Sequence, residues 1–507
     1  RRQRQMCIRD RGYIALLGWF FVGVPALFLF LPKRTAAFSG LVIGWLFLPW
    51  GHFQVGPLDI TRNVAVSLNV IGCIFFFDPT RFLRLRPSWF DLPIVVWCIS
   101  PFFTSMSNDL GAYDGAANIQ SQLYVWGLPY LIGRLYVTDY AALRHMAMIF
   151  IFAALLYVPF ILWEIRFSPR LHQSIYGFRT YDHGGTATRR LGGWRPLVFQ
   201  RHGLMMGVLM ASCTLLACWF WFTKTIRVFP LMPPGMRGRR MIQDTGGRRR
   251  VVDAVGPTVV FWPIVIGLLG VFVLCRALNG LLVFAIACGA LGALRVLKIR
   301  IPMVLFALIP FVFVGVRMTQ QYTNISFDQT LVDLVAKIDE DRAGSVQFRF
   351  ENEHMLLEKA MERPLLGWGG WGRNRVYDDA GNDLTVTDGF WIITLGQNGI
   401  IGLTASFLVL LLPVFMLLKR FNAERLISPE YAAATGLAAV LCMYAMDCLP
   451  NSMLNPMYVM AAGGITGLVV TEKAAGRVGA RSRHRQRMAL GQPGRDRVLA
   501  DAGPGRA

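Results

Sequence analysis

The stretch Arg342–Leu403 reads RAGSVQFRFENEHMLLEKAMERPLLGWGGWGRNRVYDDAGNDLTVTDGFWIITLGQNGIIGL, and the fold turns on how it is read. Arg349, Glu353, Leu356 and Ala360 fall at i, i+4, i+7 and i+11, and Val346, Phe350, Leu357 and Met361 make an apolar stripe beside them. This spacing predicts an amphipathic helix lying on a membrane or over a helix bundle. Arg363-Pro364 ends it, because a residue before proline is pushed out of helical backbone. A glycine and tryptophan turn follows, and Thr387-Asp388-Gly389 then opens an apolar run long enough to cross a bilayer. A polar segment therefore ends at the mouth of a membrane span.

Working outward, nearly everything else reads as membrane helix. Of 507 residues, 54% are hydrophobic, and apolar runs of about 17–25 residues recur along the chain. The expected fold class is all-α, a polytopic membrane helix bundle of about 12–13 spans with a large extracytoplasmic loop before the third-last span. Residues 1–12 are set aside as a non-native scar, because Met6-Cys7-Ile8-Arg9-Asp10 looks like a translated sequencing adapter. Residues 13–317 form the main bundle, 318–388 the large outer loop and 389–472 the C-terminal spans. Residues 473–507, rich in Arg, Gly and Ala, read as a disordered basic tail.

The net charge of +22 does not indicate nucleic acid. The basic residues lie in short loops on alternate sides of successive spans, as cytoplasmic retention requires. Lys33 and Arg34, Arg81 to Arg86, the basic loop 225–257, Arg295 to Arg300 and Lys419 to Arg425 share one side, read as cytoplasmic, with the tail. Loops 167–202 and 318–388 then lie outside.

Against that rule, the outer loop 167–202 carries six arginines, among them Arg190 and Arg195 in RRLGGWRP. A planar, permanently charged guanidinium suits phosphate, so the loop reads as an anion site; the alternative is a solvated loop touching lipid headgroups. Arg276 sits in the tight outer turn CRALNG, where it either joins that site or snorkels. Arg349 either binds phosphate or pairs with Glu353 one turn on. Gly367, Gly369 and Gly372 match G-x-G-x-x-G, but no strand precedes them, which argues against dinucleotide binding. They let Trp368 and Trp371 settle at the interface or stack on a sugar. Asp388 is either the N-cap of its span or a general base whose partial desolvation tunes it for proton transfer. No metal-binding spacing and no Walker lysine occurs. Cys275 and Cys448 lie near the outer face, and their pairing is left open.

These patches together resemble the O-antigen ligase and O-antigen polymerase family of bacterial membrane glycosyltransferases. The resemblance is carried by RRLGGWRP before a span, the CRALNG turn, PYLIGR at Pro129–Arg134, ERPLLGWGGWGR, and TDGFWIITLGQNGIIGL. It implies an undecaprenyl-pyrophosphate-linked glycan as donor and a glycan or lipid acceptor. The acceptor hydroxyl attacks the anomeric carbon and lipid pyrophosphate leaves, at the periplasmic face of the inner membrane, without metal or cofactor. Arg190, Arg195, Arg276 and Arg349 would then stabilise the pyrophosphate, Asp388 would take the acceptor proton, and Trp194, Trp368 and Trp371 would line the glycan path. The family's ligases usually carry His where this chain has Asp388, which leaves ligase against polymerase open. A polysaccharide transporter would place its charges at mid-membrane, in broken helices, and a non-catalytic scaffold would tolerate loss of Asp388.

Overall fold

The structure, a computed structural model, describes residues 11–55, 58–180, 189–190, 192–230, 239–243, 249–253, 258–320, 327–337 and 340–489. It is mostly helical. In chain order the helices used below are α1 (Arg11–Phe30), α2 (Lys33–Phe47), α3 (Val64–Phe77), α4 (Leu92–Ser107), α5 (Gly111–Gln122), α6 (Leu128–Tyr136), α7 (Tyr140–Phe167) and α8 (Gly203–Phe222). There follow α9 (Phe261–Leu274), α10 (Leu278–Leu297), α11 (Ile301–Gln320), α12 (Phe327–Ala336), α13 (Glu340–Met361), α14 (Phe390–Arg420), α15 (Ala432–Asp447) and α16 (Pro456–Ala489).

Among the described residues, seven helices are long and apolar enough to cross a membrane: Trp89–Ser107, which contains α4, and α1, α7, α8, α10, α11 and α14. This is the make-up of an all-α membrane bundle. Three shorter apolar helices, α3, α9 and α15, accompany them. Nearly all of α8 is buried, so it is the central post of the bundle, whereas α1, α10 and α11 bury only one face. Lipid tails are as apolar as leucine, so side-chain fit is what holds such helices together. Trp97 of α4 packs edge-on against Trp126 at 5.5 Å, and Trp126 stacks on Phe390 of α14 at 5.8 Å.

Three expectations need correction. The apolar run after Asp388 is not one continuous helix. α14 is broken at Gly399, whose φ of 63° and ψ of −167° leave the helical region. Only glycine tolerates that backbone cheaply, and a Cβ there would lie 2.2 Å from the Leu365 carbonyl oxygen. Second, the stretch read as a disordered tail begins as helix, because α16 continues to Ala489. Its Ala, Glu, Lys, Gln and Arg residues are good helix formers, which outweighs the missing apolar pattern. Third, the described part of the basic loop 225–257 contains paired strands. Val228–Pro230 lies antiparallel to Thr258–Val260, and Arg239–Gln243 to Arg249–Asp253. Most of the expected scar, residues 1–10, lies outside the described residues, and α1 begins at Arg11 within it.

Candidate functional site

The glycine and tryptophan turn seats itself on the break in α14. Trp368 N–H donates to the Gly396 carbonyl at 2.8 Å and Gly369 N–H to that of Gln397 at 2.9 Å. In return Ile400 N–H reaches the Pro364 carbonyl at 2.8 Å. The broken helix exposes backbone groups that the turn satisfies, as buried polar groups require. From α4, Thr104 donates to the Leu366 carbonyl at 2.6 Å, and Asn108, which follows the helix, to that of Gly367 at 2.9 Å. The loop is thus fixed to two membrane helices at one end of the bundle.

Beside this turn, α13 carries Arg349, whose Nε lies 3.3 Å from Asp388 Oδ2; both side chains are nearly half exposed. Arg349 does not pair with Glu353. Glu353 instead receives Arg317 Nη2 of α11 at 3.0 Å and Trp391 Nε1 of α14 at 3.4 Å, while Arg317 also holds Asp328 of α12. Burial lifts the Glu353 carboxyl above its ordinary range, with Arg317 opposing that shift. Asp388 is not the cap of α14 either: the N-cap is Gly389, and Phe390 N–H is satisfied by the Cys448 carbonyl at 3.0 Å. Asp388 is left projecting at the rim, about half exposed.

The two tryptophans of the turn part company. Trp368 donates Nε1–H to the Lys359 carbonyl at 2.7 Å, and Lys359 and Arg363 lie over its ring at 4.0 and 4.4 Å. It is a clamp between α13 and the turn. Trp371 is 83% exposed, and its backbone holds the left-handed φ of 63°. A bulky residue rarely adopts that region, so the position is strained and its ring is held out by a 3.1 Å hydrogen bond to Asp114 of α5. Trp371 forms one wall of an open cleft of about 240 Å³, with Asn374, Arg375, Tyr377, Thr387 and Gln397 among the other lining residues. Thr387 places the cleft next to Asp388. Aromatic faces with amide and guanidinium edges form the chemistry that suits a sugar ring.

The arginine loop is built from a different set of partners. Arg189–Arg190 pairs antiparallel with Gly193–Trp194, and Arg189 lies over the Trp194 ring at 5.6 Å. Arg190 is described in its backbone only. Arg276, itself at a left-handed φ of 55°, lays its guanidinium on Gly193, where a Cβ would come within 1.8 Å of Nη1. Glycine there is what admits the cation. Arg195 is buried against Gly203 at the start of α8. RRLGGWRP and CRALNG therefore meet.

Hydrogen bonds tie the segment that follows Arg276 and the segment that follows Asp388 to the same helix end. Asn279, three residues beyond Arg276, donates to Asp447 at the end of α15. Asn451 also donates to Asp447, at 2.8 Å, and the adjacent Cys448 carbonyl receives Phe390 N–H. All these groups lie at one end of the bundle. Cys275 and Cys448 are both buried free thiols.

Three organising residues escaped the sequence reading. Glu164, buried at the end of α7, accepts the N–H groups of Leu171, Leu197 and Val198 at 3.0, 2.7 and 2.6 Å and so ties down both ends of the arginine loop. Arg62 is sandwiched between Trp45 and Trp50 at 4.2 and 4.6 Å and donates to the Phe199 carbonyl at 3.1 Å. His172 accepts the Trp50 N–H at 3.3 Å and donates to the Phe178 carbonyl at 2.8 Å, with burial pulling its pKa down to about 4. A polar residue at the end of an apolar run was the only available signal for Glu164. PYLIGR serves elsewhere: its Arg134 forms a buried ion pair with Asp91 at 2.7 Å. No family model, curated protein or solved structure matches this chain.

Proposed function

We propose that the chain is a membrane glycosyltransferase of the O-antigen ligase type, moving a glycan from a lipid pyrophosphate donor to an acceptor hydroxyl at the outer face of a bacterial inner membrane. The observation that carries this reading is the gathering of Arg195, Arg276 and the Arg349–Asp388 pair at one end of an apolar bundle, beside an aromatic and amide-lined cleft. Cations at the mouth suit the pyrophosphate leaving group, whose charge grows as the glycosidic bond breaks. Arg349 presents Asp388 at the rim, where an incoming hydroxyl reaches it from solvent, and Trp371 and Tyr377 offer stacking faces to the sugar. The acceptor oxygen bonds to the anomeric carbon as its proton passes to Asp388, and the bond to lipid pyrophosphate breaks.

Polymerisation of the same lipid-linked repeat differs only in the acceptor and uses the same groups. Purified protein given an undecaprenyl-pyrophosphate-linked oligosaccharide with candidate acceptors should release lipid pyrophosphate together with a longer glycan. Release of neither would leave the cleft without a transfer role. Orientation has its own test. Single cysteines introduced in 167–180 should label from outside intact cells and those in 225–230 should not; the reverse pattern would put Asp388 on the cytoplasmic face.

A further inference from the structure

The opposite end of the bundle holds a second site. α8 is 20 residues long, so its last residue lies about 30 Å from the arginine loop that precedes its first. There Trp221, Phe222 and Trp262 stand about half exposed around an open pocket of about 360 Å³, which Lys224, Ile226 and Arg227 complete. Both cations are exposed, and among the described residues no acidic side chain lines the pocket. The backbone is built to hold this arrangement. Lys224 adopts a left-handed φ of 58°, Arg227 offers its carbonyl to Phe261 N–H at 3.1 Å, and Arg295 of α10 donates to the Phe222 carbonyl.

From this geometry we infer an anionic phospholipid site, with the phosphate held by Lys224 and Arg227 and the glycerol and upper acyl chain held against Trp221, Phe222 and Trp262. Tryptophans at the ends of apolar helices sit at headgroup depth, and paired cations there select anionic over zwitterionic lipid. The volume falls within the range of small-ligand sites, about 300–1,000 Å³. The exposed aromatic walls favour a lipid over free phosphate, because they give the phosphate alone nothing to bind. The inference does not depend on the transfer chemistry at the other end.

Native mass spectrometry of the purified full chain, titrated with dioleoylphosphatidylglycerol and with dioleoylphosphatidylcholine, tests it. Phosphatidylglycerol should be retained in preference. The Lys224→Ala/Arg227→Ala variant should bind it about thirty-fold more weakly while phosphatidylcholine is unaffected. Lys419→Ala/Arg420→Ala, which removes equal exposed charge from the same end of the bundle, should leave it unchanged. If the double variant fails to accumulate, Arg227→Gln keeps the backbone carbonyl contact and should weaken binding in the same direction. Equal weakening by both charge-removing pairs would mean diffuse attraction and no site. Equal binding of the two lipids, or displacement by millimolar inorganic phosphate, would equally overturn the assignment.

Discussion

Helix α13 carries two arginine–carboxylate pairs one turn apart, and they differ in almost everything but chemistry. Arg317–Glu353 is closed: the side chains are 5% and 12% exposed, and Trp391 and Asp328 complete the set. Arg349–Asp388 is open, at 41% and 45% exposed, with Nε and Oδ2 3.3 Å apart. A buried pair cannot give up its partner without leaving a charge in low dielectric, so it holds α11, α12, α13 and α14 together. An exposed pair contributes little to stability, about 0–1 kcal/mol, and can exchange its partner for a substrate. The same residue types thus serve architecture at one turn of a helix and availability at the turn before it.

The largest expected effect separates the two carboxylates. Asp388→Asn keeps the shape but cannot take a proton, so transfer should fall about 100- to 10,000-fold while the melting temperature stays put. Asp388→His should recover part of the rate, as imidazole is the group that the resembling ligases carry there. A normal rate for Asp388→Asn would dissolve the functional half of the comparison.

Glu353→Ala should behave the opposite way. It takes from Arg317 one of its two carboxylate partners among the described residues and should cost about 3 kcal/mol, read as a lowered unfolding temperature in detergent. A variant as stable as wild type would make the closed pair as dispensable as the open one.

Arg349→Lys keeps the charge and loses the two-pronged geometry. Transfer should fall about tenfold, less than the full loss of an oxyanion donor, with stability unchanged. Should the rate be normal and the stability reduced, Arg349 belongs with the structural pair.

The smallest effect is in pH. Burial holds the Glu353 carboxyl above its ordinary value of 4.5. Stability from this group is fully present below that value and is lost as pH rises through the higher folded pKa. The stability of wild type relative to Glu353→Gln should therefore decline as pH rises from about 4.5 toward neutral. A flat difference across that range would show that Arg317 cancels the burial.

Hydropathy was enough to locate the apolar helices, because crossing a bilayer demands length and apolarity, and both are written along the chain. The amphipathic α13 was legible for a similar reason: its period is local. So were Arg195 and Arg276, two cations placed where a charge rule expects none. Partners were not legible. Helical spacing offered Glu353 to Arg349, and only the packing of α11 and α14 onto α13 gave Glu353 to Arg317 and left Arg349 to Asp388. The break at Gly399 was hidden for the same reason. GQNGIIGL sits inside one long apolar run that reads as a single span, and the interruption is held because the turn from Pro364 to Gly369 supplies the hydrogen bonds that the broken helix lacks. The sequence by itself determined that this is an apolar helical protein with charge gathered at loop ends, because solvent sorting acts residue by residue. Which charges are buried as struts and which stand open at a cleft was decided by tertiary structure alone, because burial and pairing depend on neighbours that are distant in the chain.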